Sequence, residues 1–215
     1  MSHLFDPLLV SVLLLNLFVL GASRLRSVIG ASALQGVALG LLTVAAHDHI
    51  TFTVTLVALI AIGLKGVLIP KLLYKAMRDV AIVRDVEPLI GLIPSLAIGA
   101  VGTGASVIFA RTLPVADSYH ASLALVLPSS FATVLTGCLV LVTRRKAITQ
   151  VVGYLILENG IFIMGLGLIE ATTFLVEIGV LLDLFVAIFV MGIIINHVRR
   201  EFETTDAAEL SSLKE

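Results

Sequence analysis

The sequence predicts an all-α, polytopic membrane protein with about seven transmembrane helices. Hydrophobic residues make up 59% of the 215 residues and charged residues only 13%, whereas soluble globular domains carry about 25% charged residues. The apolar residues fall into runs of about 20, the length that a helix needs to cross the hydrocarbon core. Helices are favoured because all of their backbone groups bond within the segment.

Seven apolar runs predict seven membrane-spanning helices with short connections. The first run lacks a basic segment before it and is long enough to span, so we interpret it as a transmembrane helix and not as a cleaved signal. Pro70, Pro94 and Pro128 can kink the third, fourth and fifth helices. The predicted helices cover residues 4–23, 28–46, 51–74, 88–110, 121–143, 148–169 and 173–197.

Basic residues are concentrated on one membrane face, which predicts the orientation of the chain. Twelve of the 14 lysines and arginines flank the exits of odd-numbered helices or lie in the tail. The opposite face carries only Arg111, and Lys65 lies within a helix. By the positive-inside rule, the N-terminus is expected outside and the C-terminus in the cytoplasm.

The spacing of charged residues indicates an internal repeat. Arg26 precedes Lys65 by 39 positions, and Arg145 precedes Asp183 by 38. Helices 1–3 and 5–7 could therefore be two parallel three-helix repeats, although any chain of successive transmembrane helices shows a similar rhythm. The corresponding units are an N-terminal three-helix unit (1–80), a linking helix and loop (81–120), a second three-helix unit (121–200) and a polar cytoplasmic tail (201–215).

Three charged side chains lie near the middle of predicted helices. Glu158 interrupts an apolar run, and a carboxylate at that depth costs roughly 2.5 to 3.5 kcal/mol on insertion scales. Helix rise places Glu158 roughly 18 Å, Asp183 roughly 21 Å and Lys65 roughly 15 Å from the basic face. The three charges are thus expected to form a lateral row near the bilayer centre, with Glu177 nearer the outside.

Two interpretations of this row are open. Burial disfavours the charged form of an acid or a lysine, and an opposite charge nearby favours it. Glu158, Asp183, Lys65 and Glu177 could therefore pass protons, or a charge state, sideways to a neighbouring subunit. Alternatively, Lys65 forms a static ion pair with Glu158 or Asp183 that fixes helix packing. Asn159 is expected to hydrogen-bond across helices and to assist that packing.

The chain offers few groups that could hold a cofactor, and we expect none. Cys138 is the single cysteine and cannot ligate an iron–sulfur cluster alone. His47 to His49 form a predicted exposed turn with no third ligand in view, so no metal site is predicted. Arg144 to Lys146 are most simply an anchor that fixes orientation, with contact to a partner or to anionic lipid as a secondary role.

Several motifs resemble those of known membrane subunits. The last part of the chain contains Arg144-Arg145, a helix with Gly153, Glu158 and Asn159, a short outer turn and a helix with Asp183. This order resembles the K-type subunit of respiratory complex I and the C subunit of multi-subunit sodium/proton antiporters. A second resemblance is carried by four segments: Gly153–Phe162, Val176–Asn196, Gly63–Gly66 and Ile69–Lys71. They resemble hydrogenase-4 component E, a membrane subunit of group 4 NiFe hydrogenase and formate hydrogenlyase-like complexes, and this resemblance covers nearly the whole chain.

The sequence departs from these families at the acidic positions. The K-type glutamate of the middle helix would fall near Leu155, whereas the acid here is Glu158, three residues on and on the same helix face. The second family acid is a glutamate, and Asp183, or less well Glu177, takes its place. The resemblance therefore implies that a carboxylate role carries over, whereas the detailed proton route does not follow from it.

The resemblance implies a membrane-arm subunit of an energy-converting hydrogenase-type complex that translocates protons or sodium ions across a prokaryotic cytoplasmic (inner) membrane. Hydrogen or formate chemistry would occur on peripheral NiFe hydrogenase and iron–sulfur subunits, and this chain would be a non-catalytic subunit. Its direct partners would be other membrane subunits and lipid, with no nucleic acid. Two alternatives stay open: a subunit of a non-redox cation/proton antiporter, and a purely structural assembly subunit whose buried charges are inert.

Overall fold

The described part of the protein is built from membrane-length helices. A computed structural model describes residues 2–46, 51–79, 89–113 and 125–168, together with the single residues Val186 and Gly192. A π-helical segment, Ile62–Leu68, joins two of the helices and is called here the π-segment. The helices are α1 (Ser2–Gly21), α2 (Leu25–Ala45), α3 (Phe52–Ala61), α4 (Ile69–Asp79), α5 (Leu92–Thr112), α6 (Val126–Thr143) and α7 (Ala147–Leu168).

The predicted all-α, polytopic fold is confirmed. In the described part of the chain, six helices are long and apolar enough to cross a membrane, with α3, the π-segment and α4 forming one continuous helix over Val54–Arg78. The predicted seventh helix, with Glu177 and Asp183, lies outside the described residues apart from Val186 and Gly192, which are both helical. The division into repeats and units stays a prediction.

Two of the three prolines lie in the first turn of a helix and not in its interior. Pro94 is the third residue of α5, which begins at Leu92 and not near residue 88, and Pro128 is the third residue of α6. The first turn of a helix has no acceptors for its N–H groups, so a proline there sacrifices no intrahelical bond. These prolines therefore lie at helix starts, and the helices continue from them without a break.

Pro70 has a different effect, because it lies inside a continuous helix. Its missing N–H cannot bond to the carbonyl of Gly66, as an α-helix would require. The preceding turns widen into the π-segment, and the N–H of Ile69 donates to the carbonyl of Leu64, five residues back. The distortion expected in the third helix thus takes the form of a π-segment with Lys65 at its centre.

The helices pack around α2 and α7. α2 contacts α1, α3, the π-segment, α4 and α7, while α6 and α7 form a closely packed hairpin. α5 lies against α1 and α6 and leaves most of its surface exposed. α2 and α7 are accordingly the most buried of these helices.

Two apolar clusters occupy opposite ends of the bundle, and a polar layer lies between them. One cluster includes Val19, Ile29 and Val152, and Val186 belongs to it as well. The other cluster lies between the opposite halves of α1, α2, α6 and α7. The side chains between them are polar and buried, and we call them the polar layer: Asn16, Gln35, Lys65, Thr133, Glu158 and Asn159.

Arg144 fastens the turn between α6 and α7 to the end of α1. Its side chain is buried, and its Nη2 donates to the carbonyl of Leu20 at 2.9 Å. Burial lowers the pKa of Arg144 below its usual value. Arg144 is thus buried against α1, whereas Arg145 is exposed. The role of Arg144 to Lys146 as an orientation anchor stays a prediction.

Glycines allow the helices that carry the polar layer to approach closely. A Cβ atom at Gly36 of α2 would lie 2.6 Å from Lys65 Cβ and 2.8 Å from the Lys65 carbonyl carbon. A Cβ atom at Gly137 of α6 would lie 2.6 Å from Leu157 Cα, beside Glu158. Small residues at such contacts are the usual means by which membrane helices bring their backbones together.

We predict that Gly36→Ala destabilises the protein by about 1–3 kcal/mol, because the added methyl group overpacks the contact between α2 and the π-segment. Gly104→Ala is the matched control, since no atom lies within 4 Å of a Cβ atom at this position in α5. Unfolding of the purified full-length chain in detergent measures both variants. Equal stability of the two variants would contradict the close contact at Gly36.

Candidate functional site

A buried ion pair lies at the centre of the polar layer. Lys65 Nζ, from the π-segment, lies 2.7 Å from Glu158 Oε1, from α7. The two side chains are only 7% and 4% exposed. Lys65 could have paired with Glu158 or Asp183 on sequence grounds, and the described residues place Glu158 beside it. Asp183 and Glu177 lie outside the described residues.

Two more groups of α7 contact the lysine cation. Lys65 Nζ donates to Asn159 Oδ1 at 3.4 Å, and the centroid of the Phe162 ring lies 5.7 Å from Nζ. The negative face of an aromatic ring attracts a cation, more strongly where water is excluded. A carboxylate, an amide oxygen and a ring face from one helix therefore hold the ammonium group.

A chain of hydrogen bonds extends from this pair across the bundle. Asn159 Nδ2 donates to Gln35 Oε1 at 3.3 Å, and Gln35 Nε2 donates to Asn16 Oδ1 at 2.7 Å. Asn16 Nδ2 then donates to Thr133 Oγ1 at 2.8 Å, and Thr133 donates to the carbonyl of Ser129. The chain links α7, α2, α1 and α6 in one layer of the bundle.

Three members of this chain were missed by sequence reasoning. Asn16 and Gln35 are amides in the middle of the apolar runs 4–23 and 28–46, and that placement was the available signal. Thr133 gave no such signal, because a threonine can satisfy its hydroxyl within its own helix. Only the packing of α1 against α2 and α6 makes the three residues neighbours.

Glu158 keeps one unused acceptor. Its Oε2 atom is buried and has no hydrogen-bond partner among the described residues. A proton on Oε2 would neutralise the carboxyl group while Oε1 still accepted the bond from Lys65. The geometry therefore allows Glu158 to change its charge without first leaving Lys65.

The arrangement can exist in two forms that carry no net charge. In one form the lysine and the carboxylate are both ionised, and in the other a proton has moved along the 2.7 Å bond and both are neutral. Adding or removing one proton leaves a single net charge, which is costly in hydrocarbon.

The described part of the chain offers no evident place for a metal ion. Within residues 2–46, 51–79, 89–113 and 125–168, the His, Cys, Asp and Glu side chains form no group of three that could hold one. The chemistry that the polar layer itself can support is hydrogen bonding, ion pairing and proton exchange.

We predict that Lys65→Met and Glu158→Gln are each more destabilising than the double variant, because each single change leaves one buried charge without its partner. Breaking a buried pair costs about 3–5 kcal/mol, whereas replacing both partners is often nearly neutral. Unfolding of the full-length chain in detergent measures the coupling between the two changes. Arg145→Met, which alters an exposed arginine of the α6–α7 turn, is the control. Additive effects of the two single changes would contradict the pairing.

Comparison with known proteins gives one full-length relative and several partial ones. No protein-family model matches the chain, and no solved structure matches it. Hydrogenase-4 component E of Escherichia coli (strain K12) and that of Shigella flexneri are each 32% identical to it over 102 residues. This similarity covers 47% of the chain and 45% of either relative, so less than half of the hydrogenase subunit is matched.

The full-length relative comes from Mycobacterium tuberculosis (strain ATCC 25618 / H37Rv). It is 30% identical over 224 residues, which cover 100% of this chain and 97% of the relative, and it bears the name "Uncharacterized protein Rv0085". The aligned region therefore includes all of the described helices. The chain therefore belongs to the same protein family as the uncharacterized protein Rv0085 of M. tuberculosis.

Proposed function

We propose that the chain is a membrane-arm subunit of an energy-converting NiFe hydrogenase or formate hydrogenlyase-like complex that translocates protons or sodium ions. The partial similarity to hydrogenase-4 component E supports membrane subunits as its partners. The six membrane-length helices support a place within the bilayer. The observation that carries the proposed role is the buried pair of Lys65 and Glu158, at 2.7 Å in the middle of the bundle.

In this proposal the pair is one station of a lateral charge relay. A proton that reaches Glu158 Oε2 would neutralise the carboxylate and leave the Lys65 cation without its counter-charge. The cation would then attract the next carboxylate, and Asp183 and Glu177 are the proposed candidates. A charge change at one station would thus move to a neighbouring subunit by electrostatic attraction, without an ion crossing this chain.

Asn159, Gln35 and Asn16 act as positioning residues in the same proposal. Each amide both donates and accepts within the hydrogen-bond chain. The bond from Asn159 Nδ2 to Gln35 turns the Asn159 oxygen towards Lys65, where it accepts a bond from Nζ. The chain thereby fixes the direction in which the lysine cation points.

The proposed orientation follows from the distribution of the basic residues. One side of the bundle, where ends of α1, α2, α4, α6 and α7 meet, carries five basic residues: Arg24, Arg26, Lys75, Arg78 and Arg145. We propose that this side faces the cytoplasm, with the N-terminus outside. The partial similarity to a hydrogenase subunit of Escherichia coli supports a prokaryotic cytoplasmic (inner) membrane as the location.

We expect Glu158→Gln to abolish ion translocation by the purified, liposome-reconstituted complex while electron transfer continues. Glutamine keeps the shape and a hydrogen-bond acceptor but cannot carry the proton or the negative charge. Proton or sodium uptake and redox turnover are recorded in parallel on the same vesicles. Asp6→Asn, which removes an exposed carboxylate of α1, is the control and is expected to leave both activities unchanged.

Three further outcomes bear on the proposal, and the first two would overturn parts of it. Unchanged translocation and turnover in Glu158→Gln would make the ion pair a packing device and the subunit a scaffold. A chain that purifies only with membrane subunits and without a NiFe subunit would identify a non-redox cation/proton antiporter. Loss of the assembled complex would show that the pair is needed for assembly, and the conservative variant Glu158→Asp would then be assayed for translocation.

A further inference from the structure

A basic cavity lies at the end of the bundle where α2 begins and α4 ends. It has a volume of about 630 Å³ and is open to the surroundings. Four cationic side chains line it, those of Arg26, Lys71, Lys75 and Arg78. All four are exposed, and none forms an ion pair with a carboxylate of the described residues. The cavity therefore concentrates positive charge on its walls.

The cations are spread along the cavity and are not gathered at one point. Lys71, Lys75 and Arg78 are separated by four and three residues, so they share one face of α4. Helix rise spreads them over roughly 10 Å along that face. Arg26 closes the cavity from α2, and Tyr74 Oη donates to the Arg26 carbonyl at 3.2 Å, which ties the two walls together.

An apolar surface continues from the cavity towards the middle of the membrane. Leu72 and Met77 form the apolar part of its lining. One turn further along the same continuous helix, Val67 and Leu68 are 44% and 45% exposed. Leu68 and Leu72 are four residues apart and share a face. A molecule with a charged head in the cavity could therefore lay an apolar tail along this surface.

We propose that the cavity binds an anionic glycerophospholipid, with its phosphate among Arg26, Lys71, Lys75 and Arg78 and an acyl chain along Leu72, Leu68 and Val67. The apolar stretch of membrane length in this helix ends at Arg78, so Lys71, Lys75 and Arg78 lie in the last turns of that stretch, near one end of the bundle. Basic pockets between transmembrane helices on the cytoplasmic side are suited to such headgroups. A soluble acidic peptide would satisfy the cations but would leave the apolar surface without a partner.

Lipid binding by the purified full-length chain tests this proposal. The delipidated protein is titrated with phosphatidylglycerol, cardiolipin or phosphatidylcholine, and bound lipid is counted by native mass spectrometry. We expect selective retention of the two anionic lipids. Lys71→Ala and Lys75→Ala are each expected to weaken that retention about fivefold, which corresponds to about 1 kcal/mol per cation. Arg145→Ala, which removes an exposed cation of the α6–α7 turn outside the cavity, is expected to retain lipid like the unchanged protein.

Each remaining outcome decides for or against the lipid. Equal retention by Lys71→Ala, Lys75→Ala and the unchanged protein would overturn the site, as would equal binding of phosphatidylcholine. Displacement of the lipid by millimolar inorganic phosphate would identify a small-anion site instead. Normal lipid retention together with loss of a partner subunit from the complex would assign the cavity to an acidic protein segment. If Lys75→Ala fails to fold, Lys75→Arg, which keeps the charge, is expected to fold and to retain lipid.

Discussion

A charged group inside hydrocarbon must be matched by an opposite charge, and this constraint shapes the middle of the protein. Lys65 on the π-segment and Glu158 on α7 satisfy it for each other at 2.7 Å. Gly36 lets α2 lie close to the π-segment at Lys65, and Gly137 lets α6 lie close to α7 beside Glu158. The two apolar clusters then seal the pair from both ends of the bundle.

Two features of the pair support the proposed change of charge state. The π-segment places Lys65 in a stretch of helix whose hydrogen-bond pattern is less regular than that of α3 or α4, and such segments are frequent at functional sites. Glu158 Oε2 lacks a partner among the described residues. A proton on this oxygen would leave the bond between Glu158 Oε1 and Lys65 in place, which is the property that the proposed relay uses.

Sequence reasoning predicted most of the fold, because apolar runs of membrane length leave a helix few alternatives. It also located Glu158 and Lys65, since a charge in an apolar run stands out. It did not predict that Asn16, Gln35 and Thr133 complete the polar layer, because their proximity arises from packing between helices far apart in sequence. Burial of Arg144 was equally hidden, since the run Arg144 to Lys146 looks like an ordinary basic turn and only the position of Leu20 shows otherwise.

Infrared difference spectroscopy of the complex during turnover tests the central claim most directly, because it reports whether the Glu158 carboxyl group gains and loses a proton. The account predicts that a band of a protonated carboxyl group appears and disappears with turnover, and that this band is missing in Glu158→Gln. A Glu158 carboxylate that keeps one charge state throughout turnover, with translocation intact, would contradict the account and leave the pair with Lys65 as a fixed support for helix packing.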